Sequence, residues 1–209
     1  ELAEHFQDHV KDIGVETKMG KITDIKHDNE TDPFVLTTAT NETFQAKTIL
    51  LATGTEHRKL GVPGEEELAN KGVSYCATCD GPMFKDKVMA IVGGSDSAVK
   101  ESLLLAEYGT KVYIVYRGEA VRAEPINKKR MEDAPNIEVI NNTNITEIIG
   151  EERVEKVKFD TGNELECQAV FIEIGRTART DLAKPLGVTM NEKNEVIINK
   201  KSETNVPGF

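Results

Sequence analysis

The chain has 209 residues, enough for one large domain or two small ones, and its 38% of hydrophobic residues can build a core. A formal net charge of -10 argues against a nucleic-acid partner, because contact with phosphates requires a basic face. No apolar run approaches the ~18–20 residues that cross a bilayer, so we expect no membrane partner. An odd count of 3 cysteines argues against a secreted disulfide scaffold, and we expect a cytoplasmic protein.

Near the N-terminus, apolar residues recur at helical spacing and predict a helix that Gly14 ends: Leu2, Phe6, Val10 and Ile13. No capping residue precedes this helix, and the sequence stops abruptly after Phe209. We therefore expect the chain to be an interior piece of a longer protein.

Short apolar runs alternate with polar turns over residues 15–54 and predict three strands, at 21–26, 34–38 and 43–52. Polar turns at Asp28-Asn29-Glu30 and at residues 40–42 separate them. The third run contains Ile49-Leu50-Leu51-Ala52, a continuous apolar stretch that is typical of a strand buried on both faces.

Residues 55–75 predict a loop and a first domain boundary, because they combine glycine, proline and an acidic patch. Beyond it, a strand at 88–92, a helix at 96–108 and a strand at 111–116 predict a βαβ unit. We expect a helix at 125–133 and strands at 137–140, 145–149, 154–159, 164–167 and 170–174. A second boundary lies near 176–180, and the alternation of strands and helices predicts an α/β, Rossmann-like fold.

A Cys-x-x-Cys pair, Cys76 and Cys79, precedes this βαβ unit. Two intervening residues let the sulfurs meet if they begin a helical turn, and such pairs open and close as disulfides. Asp80 follows directly and can move the proton that thiol–disulfide exchange requires. A zinc site and an inert buried pair are the alternatives, although a zinc site would need about four ligands. We interpret Cys167 as a packing residue.

The turn after the strand at 88–92 approximates the G-x-G-x-x-[GA] fingerprint of dinucleotide sites. It consists of Gly93, Gly94, Ser95, Asp96, Ser97 and Ala98. The first glycine would make the tight turn, and Ala98 would let the helix pack closely on the strand. Ser95 stands where the fingerprint has its middle glycine.

Two arginines follow the second strand of the unit, where NAD-binding proteins place an acidic residue. Arg117 and Arg122 suit the 2′-phosphate of NADPH, since guanidinium groups pair well with phosphate. Glu119 lies between them, and two solvated surface arginines are the alternative interpretation.

Together these motifs resemble the low-molecular-weight thioredoxin reductases, and the resemblance covers the whole chain. Cys76-Ala77-Thr78-Cys79-Asp80-Gly81 is similar to the redox signature of that family, and Tyr116–Arg122 is similar to its His-Arg-Arg-x-x-x-Arg segment. Thr53-Gly54 ends a segment that resembles the second FAD-domain motif, and Gly175 lies where the chain of the family returns to the FAD domain.

The resemblance implies a Rossmann-like three-layer fold with a complete NADPH domain at 61–178 and an incomplete FAD domain at 1–60 and 179–209. It implies FAD and NADPH as cofactors, no metal, thioredoxin as the partner and a homodimer when full length. Cys79 would face the flavin, Cys76 would attack the thioredoxin disulfide, and Asp80 would be the acid–base partner. The cofactor contacts would come from Gly93–Ala98, Arg117, Arg122, Gly175, Thr53 and Gly54.

This sequence departs from the family pattern in ways that bear on the cofactors. Gly118 replaces the second arginine, and Ser95 replaces a frequent glycine, so we expect weaker or less specific NADPH binding. NADH or ferredoxin is the alternative electron donor, and an inactive truncated nucleotide-binding module is the alternative to an enzyme. No glycine-rich FAD fingerprint precedes Glu1 and no Gly-Asp segment follows Phe209, so we expect the chain alone to bind FAD poorly or not at all.

Overall fold

A computed structural model describes residues 2–29 and 31–209. The chain divides into two compact units, the first formed by residues up to Thr55 together with Ala178–Phe209 and the second by Glu56–Thr177. Glu30, the third residue of one predicted turn, lies outside the described residues. Within the described ranges, no helix is long and apolar enough to cross a membrane.

Unit 1 begins with the predicted amphipathic helix, α1 (Leu2–Asp12). The helix ends as expected, because Gly14 adopts a φ of 74° and its N–H donates to the Lys11 carbonyl. No residue of α1 is buried, and Phe6 on its apolar side is 63% exposed.

Three antiparallel strands follow in the order β1-β2-β3, at Ile22–Lys26, Phe34–Thr38 and Thr43–Ala46. Phe34 is their buried anchor, with its ring stacked on His27 at 4.0 Å between centroids. The Thr38 hydroxyl accepts a hydrogen bond from the Glu42 N–H at 3.0 Å and closes the turn between β2 and β3. The first two predicted strands are therefore confirmed.

The buried strand predicted at 49–52 is wrong. The third strand ends at Ala46, residues 47–54 contain no strand, and Leu50 is 87% exposed. An apolar run becomes a doubly buried strand only where other strands and covering layers flank it. Here the Ile49 N–H donates to the Gly208 carbonyl at 2.8 Å, and no described strand pairs with the run.

The elements between Thr55 and Ala178 are, in chain order, β4 (Thr55–His57), β5 (Val73–Ser74), α2 (Ala77–Asp80), β6 (Val88–Val92), α3 (Asp96–Ala106), β7 (Lys111–Val115), α4 (Pro125–Asp133), β8 (Ile137–Ile140), β9 (Ile145–Ile149), β10 (Lys156–Phe159), β11 (Glu164–Glu166), β12 (Ala169–Ile172) and β13 (Arg176–Ala178). Unit 2 is built on a five-stranded parallel sheet of order β5-β12-β6-β7-β8, and the predicted βαβ unit lies at its centre. The strands β4 and β13, in which the chain passes between the units, pair with each other.

Alternate residues of the parallel strands point into two separate cores. Met89 and Ile91 of β6 pack with residues of α3 and α4 on one face of the sheet. Ala90 and Val92 pack on the other face with the antiparallel sheet of order β11-β10-β9. Unit 2 thus has three layers, which confirms the predicted Rossmann-like architecture.

All five strands of this sheet run in one direction, so their carboxyl ends lie along one edge. The chain leaves that edge at Tyr75, Gly93, Tyr116, Asn141 and Glu173. Ligands of open parallel sheets bind at this edge, and every sulfur and glycine of the predicted redox and nucleotide motifs follows one of these strand ends.

A buried carboxylate, Glu65, holds the segment that leads into β5. It is 1% exposed, and it accepts hydrogen bonds from the N–H groups of Leu60 at 2.9 Å and Gly61 at 2.6 Å and from the Tyr75 hydroxyl at 2.6 Å. Burial, together with the Glu65 charge, raises the pKa of Tyr75 above its usual range. Three donors compensate the cost of burying this charge.

A pair of carboxyl groups lies between α3 and the end of β12. Glu101 and Glu173 face each other, and the Arg176 guanidinium and the Ala77 N–H also face Glu101. Burial has the largest effect on Glu173 and, together with the charge of Glu101, raises its pKa to about 7, although the Arg176 charge acts in the opposite direction. Burial likewise raises the pKa of Glu101. Burial and mutual repulsion therefore disfavour the state in which both carboxyls are ionised.

We expect Glu65→Ala to lower the free energy of unfolding by about 3 kcal/mol, because it leaves three donors without their acceptor. Urea denaturation measures this loss. Glu66→Ala is the matched control, since that neighbouring carboxylate is exposed and pairs with Lys59 at the surface, where loss of an ion pair has little effect on stability. Equal effects of the two substitutions would contradict the anchoring role of Glu65.

Glu173→Gln should stabilise the protein at pH 8 and have little effect at pH 4. The pKa of Glu173 is higher in the folded than in the unfolded state, so the unfolded chain loses the proton first and stability falls between the ordinary value of 4.5 and about 7. After allowance for solvent screening, we expect a gain of about 1–2 kcal/mol at pH 8. Denaturation at both pH values measures it, with the exposed Glu119→Gln as control. A gain in stability that is the same at both pH values would contradict the raised pKa of Glu173.

Candidate functional site

The two cysteines of the Cys-x-x-Cys motif form a disulfide, with their Cα atoms 5.3 Å apart. Cys76 caps the short helix α2, and its Sγ accepts a hydrogen bond from the Cys79 N–H at 3.2 Å. Cys79 is exposed, which contradicts the alternative of an inert buried pair. Among the described residues, no group of three or more His, Cys, Asp and Glu could hold a metal ion.

Asp80 is held next to this disulfide by Ser74, the last residue of β5. The Ser74 hydroxyl donates to Asp80 Oδ2 at 2.6 Å, and Ser74 Oγ accepts from the Cys76 N–H at 3.0 Å. The Asp80 N–H in turn donates to the Cys76 carbonyl at 3.1 Å. A carboxylate fixed in this way is suited to moving a proton during thiol–disulfide exchange. Sequence reasoning missed Ser74, because the sequence predicts a loop over residues 55–75, whereas Val73–Ser74 forms the two-residue strand β5.

Cys167 lies apart from this chemistry. Its side chain is fully buried in the core on one face of the parallel sheet, and burial raises the pKa of the thiol to about 12. A thiol with so high a pKa has almost no thiolate at neutral pH, which agrees with its interpretation as a packing residue.

The glycine turn between β6 and α3 packs so closely against neighbouring groups that it has no room for side chains at its first two positions. Gly93 adopts a φ of 149°, and a Cβ there would lie 2.3 Å from the Glu173 carbonyl oxygen. A Cβ at Gly94 would lie 2.3 Å from the Tyr116 ring. Ser95 caps α3 without a side-chain hydrogen bond to the helix, which leaves the first N–H groups of this 11-residue helix available to an anion.

This turn opens onto a cleft of about 480 Å³ at the carboxyl edge of the parallel sheet. Six predicted site residues line it: Gly93, Gly94, Ser95, Arg117, Arg122 and Gly175. Among the residues that sequence reasoning did not assign to the site, Arg58, Lys59, Tyr116, Thr143, Asn144 and Glu173 also line it. Four cationic side chains around a glycine turn make the cleft suitable for a ligand with several phosphates.

Position along the strands could have identified most of these additional residues. Thr143 and Asn144 follow β8, and Glu173 follows β12. A residue just beyond the carboxyl end of a strand is a candidate in any parallel sheet, but the strand order that brings these ends together is not visible in one sequence. Arg58 is held in place by a hydrogen bond from its N–H to the Gly175 carbonyl at 3.0 Å.

Asp96, predicted in the nucleotide turn, faces α4 instead of the cleft. Its carboxylate accepts from Asn127 Nδ2 at 2.8 Å and from the Glu124 N–H at 3.0 Å, and it pairs with Lys100. The hydrogen bond from Asn127 has the largest effect, and together these interactions lower the pKa of the Asp96 carboxyl to about 2. Asp96 thus ties the start of α4 to the start of α3.

The other predicted site residues are distributed over both units. Ser97 and the buried Ala98 belong to the first turn of α3 and do not line the cleft. Thr53 and Gly54 belong to unit 1, where the Thr53 hydroxyl donates to the Arg179 carbonyl at 2.6 Å and the Gly54 carbonyl accepts from the Arg179 N–H at 3.0 Å. The cysteines and Asp80 lie outside the cleft but leave the same edge of the sheet.

Comparison with known proteins agrees with this arrangement. The family model described as pyridine nucleotide-disulphide oxidoreductase matches residues 1–209. A thioredoxin reductase of Listeria innocua is 38% identical over 215 residues, which cover 100% of this chain and 66% of that protein. A thioredoxin reductase of Bacillus subtilis is 36% identical over 215 residues, which cover 100% of this chain and 67% of that protein.

A solved thioredoxin reductase structure is also similar to this chain. The thioredoxin reductase of Lactococcus lactis superposes with a TM-score of 0.83 at 33% sequence identity, over 99% of this chain and 69% of that chain. This chain therefore spans about two thirds of the length of the thioredoxin reductases that it matches. The resemblance inferred from the motifs is confirmed, and the chain belongs to the pyridine nucleotide-disulphide oxidoreductase family.

Proposed function

We propose that this chain supplies the nucleotide-binding and dithiol parts of an NADPH-dependent thioredoxin reductase. Electrons would pass from NADPH by way of FAD to the Cys76–Cys79 disulfide and then to thioredoxin. The observation that carries this proposal is that an accessible disulfide and a cationic, glycine-lined cleft share one edge of the parallel sheet in unit 2. The relatives named thioredoxin reductase support it.

The nucleotide would bind in the cleft at the carboxyl ends of β6 and β7. The pyrophosphate suits the turn at Gly93–Ser95, because the first N–H groups of α3 are available there. Arg117 and Arg122 would hold the 2′-phosphate, since both are exposed and line this cleft. The residues present fit a phosphorylated nicotinamide dinucleotide.

A cavity of about 670 Å³ in unit 1 is bordered by residues between Glu16 and Phe44. The contacts of Thr53 and Gly54 with FAD stay predictions that rest on the resemblance. FAD, when bound in an enzyme of this family, supplies two-electron transfer between the nicotinamide and the disulfide.

The dithiol would pass electrons on by two exchange steps. The Cys76 thiolate attacks one sulfur of the partner disulfide, which forms a mixed disulfide and releases a partner thiolate. The Cys79 thiolate then attacks Cys76 Sγ, which re-forms the internal disulfide and releases the second partner thiolate. Two electrons reach the partner, and the two protons lost by the cysteines end on its thiols. Asp80, held by Ser74, is placed to take up and deliver one of them.

NADH and reduced ferredoxin are alternative electron donors, because Gly118 stands where the family pattern has its second arginine. Flavin reduction in the flavin-loaded protein, measured with NADPH, NADH and reduced ferredoxin in turn, separates them. A flavin that NADPH does not reduce would refute the proposal.

The homodimer follows from the resemblance and the cytoplasmic location from the composition, and both stay predictions.

Cys79→Ser should trap a partner, and Cys76→Ser should not. With Cys79 removed, the Cys76 thiolate attacks a thioredoxin that keeps only its exposed cysteine, linked to an aromatic thiol; the aromatic thiolate leaves, and no neighbouring thiol on either protein resolves the mixed disulfide. Non-reducing electrophoresis measures the covalent complex. Cys167→Ser, in the buried packing position, is the control and should leave the internal disulfide intact. Trapping by Cys76→Ser alone would reverse the assigned roles.

Arg122→Ala and Arg117→Ala should weaken NADPH binding while NADH binding changes little. Loss of one charge-assisted phosphate contact corresponds to about tenfold or more in affinity. Titration of the chain with each nucleotide measures the dissociation constants. Arg130→Ala is the control, because Arg130 is exposed on α4 and does not line the cleft. Unchanged NADPH affinity in both variants would identify the two residues as surface arginines.

A further inference from the structure

Glu101 lies where helix α3 packs against the redox motif. Ala77, which stands between the two cysteines, is fully buried in one core with Leu105 of α3. A Cβ at Gly81 would lie 3.0 Å from Leu105 Cδ2, so the segment that follows α2 also packs on α3. The Ala77 N–H faces the Glu101 carboxyl. A carboxyl group of α3 is therefore placed directly against the backbone that joins the two cysteines.

Glu173, the partner of Glu101, lies at the nucleotide cleft. Its N–H donates to the Val92 carbonyl at 2.8 Å, and its carbonyl oxygen would lie 2.3 Å from a Cβ at Gly93, so it stands beside the glycine turn. Glu173 also lines the cleft, and its carboxyl faces Glu101. The two side chains therefore connect the cleft with the redox motif.

The surroundings of this carboxyl pair make its charge sensitive to nearby ions. Glu101 Oε2 is buried, and no residue that the structure describes donates a hydrogen bond to it. Arg176 of β13 is the cation that faces both carboxyls, and it is exposed. Asp80, the carboxyl group of α2, is bound to Ser74. Because burial raises the pKa of both groups of the pair, and that of Glu173 to about 7, a nearby change of charge can add or remove a proton at neutral pH.

We propose that Glu101 and Glu173 link the nucleotide cleft to the Cys76–Cys79 disulfide, so that a proton held by this pair lets nucleotide binding and disulfide reduction favour each other. Anionic phosphates in the cleft repel the Glu173 carboxylate, and a cysteine thiolate formed on reduction repels that of Glu101. Both events favour the uptake of one proton from solvent by the pair, so the first event makes the second less costly. This inference rests on the proposed nucleotide site in unit 2.

The test is the binding of NADP⁺ to the flavin-free chain before and after reduction of its disulfide by dithiothreitol. The reductant supplies two electrons and two protons and becomes a cyclic disulfide. Calorimetry at pH 7.5 should give a dissociation constant about threefold or more lower for the reduced chain. By reciprocity, NADP⁺ should shift the exchange equilibrium with dithiothreitol toward the dithiol by the same factor. At pH 5.5 the factor should fall to near unity, because Glu173 then holds its proton with or without a ligand.

Variants of the pair identify the route of the coupling. Glu101→Gln and Glu173→Gln should each remove it at pH 7.5, because an amide takes up no proton. Either variant serves if the other fails to fold, and the comparison between the two pH values needs no variant. Glu119→Gln removes an exposed carboxylate outside the pair and should keep the coupling. A chain with both Cys76→Ser and Cys79→Ser should bind NADP⁺ equally with and without dithiothreitol.

The outcomes separate this link from the nucleotide site. If wild type binds NADP⁺ equally well or more weakly after reduction, the link is refuted while the nucleotide site stands. If the coupling survives in Glu101→Gln and Glu173→Gln, or is as large at pH 5.5 as at pH 7.5, the carboxyl pair does not carry it and the inference is overturned. If wild type binds no NADP⁺ at millimolar concentration, the proposed nucleotide site is wrong and the link falls with it.

Discussion

The parallel direction of five strands in unit 2 is the constraint on which the rest depends. Parallel hydrogen bonding between β5, β12, β6, β7 and β8 sends five chain segments out of the sheet at one edge. Each segment carries a different part of the chemistry: the cysteines, a carboxyl, the glycine turn, the arginines and two polar side chains. Layers on both faces cover the sheet, so this edge is where a ligand can approach backbone groups.

The segments at this edge are held by hydrogen bonds to buried or half-buried polar groups. Glu65 fixes the chain before β5 through two backbone N–H groups and Tyr75. Ser74 fixes Asp80 at the disulfide. Glu65 accepts from three donors, whereas Ser74 accepts from the Cys76 N–H and donates to Asp80, so each side chain joins two or more groups of its segment. The carboxyl pair of Glu101 and Glu173 differs, since burial and the neighbouring charge raise the pKa of both groups instead of hydrogen bonds holding them ionised.

Local patterns in the sequence were sufficient for most elements of unit 2. Strands β6 and β8 and helix α4 lie at their predicted positions because alternating or helical apolar spacing, ended by turn residues, specifies each one locally. The failure at Ile49–Ala52 has a physical cause, since an apolar run becomes a strand only if partners flank it. The motif predicted Asp96 in a ligand site. Its carboxylate instead accepts hydrogen bonds from Asn127 and the Glu124 N–H at the start of α4 and pairs with Lys100 of α3.

The amino-acid order alone predicted the disulfide and the glycine turn, because a Cys-x-x-Cys pair, its following aspartate and a glycine turn are local features whose geometry depends on a few successive residues. The folded chain alone established which distant residues meet, among them Arg58, Asn144 and Glu173 in the cleft and Tyr116 between Gly94 and Gly118. Such long-range contacts depend on strand order and on side-chain packing between segments that are dozens of residues apart, and no local pattern encodes them.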